Sequence, residues 1–195
     1  MPGLRHTDAR SRLLSSARTR FAADGALSPT LDEVRRDAQV SVGALYHHFP
    51  DKQALAAAVF AQLIGEYQTG FLRVLVMQPT AEGGIRAGVR YHLQWVVENR
   101  TEAALLLGDR LDSRELRDSN REFFRAVGDW WRPHDGYGLL RPMEPGVTAA
   151  LWLGPAQEYS RQWISGTGIS DKATTIADTT IETFASAAWA ALREE

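Results

Sequence analysis

Apolar side chains recur along this chain at steps of three and four residues, and no run of alternating β-branched residues bounded by turn signals competes with that period. Leu13, Ala17 and Phe21 predict a first helix that stops at Asp24-Gly25, with a flexible arm before it over residues 1 to 7. Leu31 and Val34 give a short second helix. Its start is marked by Thr30 and, three residues on, Glu33, a pair whose side chains can each satisfy an orphan amide of the first turn. Ala38-Gln39-Val40 breaks the period and Ser41 can cap a third helix, whose buried side is Val42, Leu45 and Phe49. Pro50 ends that helix and Asp51-Lys52 starts the next, in which Leu55, Val59, Leu63, Tyr67 and Phe71 follow at four-residue steps until Gln78-Pro79.

The remaining pattern is that of a helical bundle. Ile85, Val89, Leu93 and Val96 mark a fifth helix ending near Arg100, and residues 102 to 107 a short sixth. Asp112 with Glu115 offers another capping box, opening a seventh helix with Leu116, Asn120, Phe123, Val127 and Trp130 or Trp131 on one face. Residues 132 to 146 read as a Pro- and Gly-rich loop. Pro145 suits the first turn of an eighth helix that aligns Trp152, Tyr159 and Trp163 and ends at Gly166-Thr167-Gly168. Ser170 caps a ninth, with Ile176, Thr180, Phe184, Ala187 and Ala191 on one side. The expectation is an all-α chain of about nine helices, divided into residues 1 to 54 and 55 to 195.

Two short helices joined by a three-residue turn form a helix-turn-helix, a device that lays its second helix in the major groove of DNA. On that helix Ser41, Val42, Gly43 and Ala44 are expected to face base edges, while Tyr46, His47 and Lys52 position the duplex. Thr30 and His48 complete the DNA-facing set. The second reader helix has no Arg or Lys before Lys52, so readout falls to hydroxyl, backbone and methyl contacts, which favours thymine methyls.

The run Arg12-Leu13-Leu14, Ala17, Phe21, Gly25, Thr30-Leu31, Val34, Ala38, Val40-Ser41, Gly43, Leu45-Tyr46, His48-Phe49, Lys52, Leu55 resembles the N-terminal domain of the TetR family of transcriptional repressors. Its most specific part is Gly43-Ala44-Leu45-Tyr46-His47-His48-Phe49 with Lys52, which reproduces the family string in order and spacing. The resemblance implies a repressor released from a palindromic operator by a small effector, with residues 55 to 195 as a helical ligand-binding and dimerisation bundle and the last two helices building a homodimer. Three positions depart from the pattern. Gln39 stands where the family usually has Gly in the turn, and a non-Gly residue in a left-handed conformation costs about 1 kcal/mol. Arg35 and Arg20 occupy places that are usually small or apolar, where their stems can line the core while the guanidinium stays wet.

Composition narrows the function classes. The 195 residues are 44% apolar and include no Cys, which excludes disulfides, thiolate zinc sites and cysteine nucleophiles. The opening residues are too polar for a signal peptide and no apolar run approaches the roughly 20 residues of a membrane span, so the cytoplasm is expected and no membrane partner. Residues 1 to 56 hold eight Lys or Arg against six Asp or Glu, and the rest fourteen against eighteen, so the basic bias of the first part is slight. DNA binding rests on the motif and on local clusters, Arg5, Arg10, Arg12 and Arg35-Arg36. No phosphate loop, HExxH or GxSxG motif occurs, and adjacent His47 and His48 do not face one point, so neither catalysis, a metal nor a cofactor is expected.

Five of the six Trp lie between Trp95 and Trp163, compatible with a large apolar cavity or with a helical core. His92 and Asn120 each interrupt an apolar stripe, either as core groups with hydrogen-bond partners or as polar anchors of a pocket shared with Tyr67, Trp95, Phe123 and Trp152. Pro155, inside the eighth helix, either bends it around the core or a dimer partner or shapes that cavity. Two binding functions compete: a ligand-responsive DNA-binding repressor, and a helical ligand- or partner-binding protein whose helix-turn-helix is degenerate and no longer binds DNA. The second rests on Gln39, Arg35 and the low basic charge.

Overall fold

A computed structural model describes residues 3–24, 28–108, 114–166 and 174–194. The described residues form nine helices: α1 (Gly3–Asp24), α2 (Leu31–Asp37), α3 (Val42–His48), α4 (Lys52–Val76), α5 (Ala81–Glu98), α6 (Arg100–Leu107), α7 (Arg114–Gly136), α8 (Pro145–Ser165) and α9 (Asp178–Leu192). The backbone clusters into two compact units, residues 1–65 with 104–119, and residues 66–103 with 120–195, so α4, α6 and α7 each contribute to both.

In the first unit α1 packs across α2 and α3. Leu13, Ala17 and Phe21 of α1, Val34 of α2, Leu45 and Phe49 of the α3 region, and Leu55, Val59 and Leu63 of α4 form one buried core, joined by Leu105 and Leu116. The helix-turn-helix is too small to bury a core alone, and α1 and α4 supply the missing faces. Polar ties lock the layers: the Ser16 hydroxyl donates to the Val34 carbonyl at 3.0 Å, and Arg20 grips the Asp37 carboxylate through two nitrogens. The Arg20 guanidinium holds the Asp37 carboxyl below the usual range, chiefly through that hydrogen bond. The arm expected over residues 1 to 7 is helical from Gly3.

In the second unit α5 packs on α8 and α9, which also pack on each other. The Gly-rich start of α5 has a steric reason. A Cβ on Gly84 would lie 2.1 Å from the Trp130 ring, and one on Gly88 would lie 2.9 Å from Phe71 and 3.0 Å from Trp152. The two glycines, four apart, make a shelf on which aromatic rings rest against helix backbone.

Several boundaries differ from expectation. α7 runs through Pro133 to Gly136, where the sequence pattern predicts a loop from residue 132. Its stop is Gly138, at φ 67, with the amides of Gly138 and Leu139 returning to the carbonyls of Asp135 and His134. The link to α8 is pinned at Leu140, which is buried and pairs antiparallel with Arg193 beyond α9. The described part of α9 begins at Asp178, so Ile176 precedes the helix, though it is buried. The capping box expected at Asp112 and the cap expected at Ser170 fall outside the described residues. Ala185 and Ala188 of α9 are buried within the subunit. α8 is continuous from Pro145 to Ser165, with Pro155 on its exposed side.

Candidate functional site

The reader begins at Thr30, whose side chain accepts from the Glu33 amide at 3.2 Å while the Glu33 carboxylate accepts from the Thr30 amide at 2.7 Å. The capping box is complete, and these bonds to Thr30 hold the Glu33 carboxyl below its ordinary range. α2 closes on Gln39, which adopts a left-handed φ of 53. The Val40 amide returns to Arg35 O and the Gln39 amide to Arg36 O, both at 3.1 Å, the paired reverse bonds usually built around glycine at that position. Gln39 therefore keeps the turn geometry despite its Cβ. The Arg35 guanidinium secures the turn by donating to Val40 O at 3.1 Å and pairing with Asp32 at 2.8 Å, and Arg12 reaches Gln39 O at 3.4 Å. The departures at Gln39 and Arg35 are thus absorbed locally.

Ser41 caps α3, its oxygen accepting from the Ala44 amide at 3.2 Å. Val42, Gly43, Tyr46 and His47, at positions i, i+1, i+4 and i+5, form the exposed face. Ala44, Leu45, His48 and Phe49 form the inner one. Two expectations are corrected here. Val42 is 55% exposed and is no core anchor, while Ala44 is half-buried against the core and lies off the exposed face. His48 is likewise half-buried, its ring 5.1 Å from that of His47. Tyr46, 54% exposed, and Val42 leave an apolar, uncharged strip beside Gly43, around which nothing lies within 4 Å of a Cβ position. Lys52, half-buried, opens α4 just beyond.

The second unit holds a cavity of about 700 Å³. Phe71 of α4, Phe123, Val127 and Trp131 of α7, and Trp152 of α8 form its aromatic and apolar walls; Arg132, Asp135, Arg141 and Thr148 are its polar groups. The Phe71 ring lies 5.6 Å from both Phe123 and Trp152, and the Trp152 indole N–H donates to Ile85 O at 2.9 Å, fixing the wall.

Of the six residues expected in a pocket, Phe123 and Trp152 line this cavity, and Tyr67, His92, Trp95 and Asn120 do not. Asn120 accepts from the Gln68 amide at 2.7 Å. Tyr67 and His92 belong to a buried chain whose proton order can be read from its end. The Ser160 hydroxyl donates to Ala156 O at 2.8 Å, so its oxygen accepts from His92 Nε2–H at 3.2 Å. His92 Nδ1 is then the acceptor for the Tyr67 hydroxyl at 3.0 Å. Trp95 packs edge-on against Tyr67. Neutral His92 is fully partnered, and burial, helped by Arg161, lowers its pKa to about 4, while burial raises that of Tyr67. Residues the sequence does not single out, Val127 excepted as an apolar position, are those of the α7 end and the following link: Trp131 shares its place in the pattern with Trp130, but Arg132, Asp135 and Arg141 lie in what reads as a loop.

The His92 chain has a pH consequence. The unfolded chain takes up the proton near pH 6.5 and the folded protein only near 4, so stability falls as pH drops through that window, by about 3 kcal/mol from this group. Urea melts of the wild type and His92→Gln across pH 7 to 4 check this: the variant, less stable at pH 7, is expected to lose that slope. Parallel slopes would contradict it.

The chain thus combines a helix-turn-helix that has an exposed outer face with a second unit that holds an open aromatic cavity. Residues 13–59 match the family model described as bacterial regulatory proteins, tetR family. The chain is 38% identical over 53 residues to the HTH-type transcriptional regulator UidR of Escherichia coli strain K12, and spans 27% of that relative's length in the match, 27% of its own. Among solved structures, a TetR family transcription regulator from Marinobacter aquaeolei VT8 superposes with a TM-score of 0.77 at 16% identity, covering 98% of each chain. A protein of unknown function from Rhodococcus sp. RHA1 gives 0.79 at 17% identity over 100% of both. Residues 13–59 thus resemble the tetR family of bacterial regulatory proteins, and over its whole length the chain has the fold of these structures. Among the described residues no helix is long and apolar enough to cross a membrane.

Proposed function

We propose that this protein is a transcriptional regulator, a repressor that binds a pseudo-palindromic operator as a homodimer and is released by a small apolar or aromatic effector. The observation that carries the reading is the outer face of α3: Val42, Gly43, Tyr46 and His47 project from a turn held in register by Gln39 and Arg35. A degenerate reader would be expected to lose those turn bonds, so the intact turn favours DNA binding over the partner-only alternative. Within the reading, Val42 offers its methyls to thymine, the Ser41 hydroxyl retains a proton to donate beyond its cap, and Tyr46, His47 and Lys52 contact the backbone. Thr30, exposed at the start of α2, adds a phosphate contact. Ala44 and His48 act behind this face by supporting it. UidR, a named transcriptional regulator, shares the region.

The homodimer is assigned to the outer sides of α8 and α9, where Val147 and Leu151 are exposed large apolar residues and Ala187 and Ala190 are exposed small ones. Release uses α4, which starts at Lys52 in the first unit and carries Phe71 into the cavity wall of the second. An effector that prefers one disposition of α4 changes operator affinity by its differential binding, and a coupling of about 1 to 3 kcal/mol would loosen the operator by about 5- to 150-fold.

The test is a salt titration of operator affinity on a duplex selected from random sequence by the wild-type protein. Lys52→Ala is expected to weaken binding equally on all sequences and to reduce the slope of log affinity against log salt by about 1 for each phosphate that the lysine neutralises. An unchanged slope removes Lys52 from the interface. Sedimentation at micromolar concentration is expected to give a dimer, and a monomer would contradict the two-fold operator.

A further inference from the structure

The glycines of the second unit fall into two kinds. Gly84 and Gly88 are required by the packing, because Trp130, Phe71 and Trp152 occupy the space that a Cβ would take. Gly128, inside α7, and Gly146, in the first turn of α8, have no protein atom within 4 Å of that position, and both line the cavity. Glycine inside a helix is disfavoured relative to alanine, and at Gly128 no neighbouring atom explains it. What the missing side chain provides there is access. Gly128, Gly146 and Ala149 are exposed, whereas the Phe71 and Trp152 rings behind them are buried. The cavity therefore has an opening framed by small residues of α7 and α8 and a deep aromatic end. Phe124, one turn before Gly128, stands at the opening with 59% of its surface exposed.

Charge selects little here. Arg132 donates to the Asp129 carboxylate at 3.0 Å, and Arg141 has a further interaction within the protein besides the backbone bond to Leu192 O. Asp135 is exposed near the end of α7, where a surface ion pair with a ligand would contribute little. The one uncharged hydroxyl of the lining, on Thr148, donates to Glu144 O at 3.2 Å, so toward a ligand it is an acceptor.

We infer that the cavity takes an uncharged aromatic molecule of a few rings, whose polar group is at most a hydroxyl-type donor, and that Gly128 is the residue that admits it. The inference rests on the reading of the cavity as the effector site and narrows the class of effector. A charged head would give up hydration with no opposite charge in the buried part of the lining to receive it. Aromatic rings set against Phe71 and Trp152 gain from edge-to-face and offset geometry, which a saturated body of the same size lacks. The volume of about 700 Å³ lies within the range of small-molecule sites. A large side chain at position 128 would enter the opening and exclude such a body.

The test titrates the whole protein calorimetrically with four probes. Biphenyl-4-methanol, biphenyl-4-carboxylate and biphenyl-4-methylamine differ in the charge of the head, and 4-cyclohexylcyclohexylmethanol is the saturated counterpart of the first. The aromatic alcohol is expected to bind at least tenfold tighter than the acid and the amine, and about threefold or more tighter than the saturated alcohol. Gly128→Leu is expected to weaken the aromatic alcohol at least tenfold and Gly128→Ala less. Because position 128 is exposed within a helix, both variants hold or raise the melting temperature. Gly65→Leu, at a glycine of α4 that also has open space but lies outside the lining, is expected to leave affinity unchanged. An acid or amine that binds as tightly as the alcohol would overturn the uncharged class, and undiminished binding in Gly128→Leu would overturn the role of Gly128. Binding of none of the four would overturn the whole inference. Operator affinity at saturating biphenyl-4-methanol judges the effector reading separately: tight, Gly128-dependent binding that leaves the operator affinity unchanged would uphold the site and contradict its effector role.

Discussion

Gly43→Arg will abolish sequence-specific DNA binding and leave the protein folded. Gly43 is the second residue of α3, exposed, with nothing within 4 Å of where a Cβ would stand, so the new side chain meets no protein atom at its root. Helix propensity favours the change by about 0.5 to 1 kcal/mol, and the melting temperature should hold or rise slightly. The arginine would project from the face made by Val42, Tyr46 and His47, the face proposed to meet base edges. Specific affinity commonly exceeds non-specific affinity by about 10³ to 10⁷, and losing the fit removes that margin while the added cation preserves the non-specific remainder. Fluorescence anisotropy with the selected duplex and with random DNA measures both. Normal operator affinity in the variant would show that α3 is docked elsewhere.

Trp152→Ala is expected to produce the largest loss of stability of any single truncation in the second unit. The Trp152 side chain is almost wholly buried, lies 5.6 Å from Phe71 and 5.5 Å from Trp131 ring to ring, rests on the Gly88 shelf and donates to Ile85 O. Its removal joins a void to the existing cavity, so the surrounding rings have little reason to close in. The cost for such truncations is about 3 to 5 kcal/mol, which for a chain of this size lowers the melting temperature by about 6 to 20 °C. Calorimetry gives the value. A loss below about 1 kcal/mol would mean the aromatic wall is loosely packed and the cavity poorly defined.

These two residues also mark how far the sequence could be read. Local signals were legible because they lie within four residues: the Thr30–Glu33 box, the Ser41 cap, the left-handed Gln39 and Pro145 in the first turn of α8 are all present. The outward side of α3 was harder to read. Seven residues give barely two turns, and the set Val42, Leu45, Phe49 fits a helical period as well as the set Ala44, Leu45, His48, Phe49 that is in fact turned inward. The cavity was displaced for a different reason. His92 and Asn120 were conspicuous as polar breaks in apolar stripes, but their partners, Ser160 and Gln68, lie 68 and 52 residues away, and such pairings have no trace in spacing. Pro133 then hid the true wall, because proline inside a helix reads as its end, and the actual stop, Gly138, leaves Arg132 and Asp135 on α7.

The most direct measurement is the ratio of affinities of the intact wild-type protein for a duplex it has selected and for a scrambled duplex of the same length and composition, at one fixed salt concentration. The reading face on α3 predicts a ratio of at least about 10³, carried by a two-fold-related pair of half-sites. A ratio near one, at any salt, would contradict it and would leave the helix-turn-helix as a structural remnant on a ligand-binding protein.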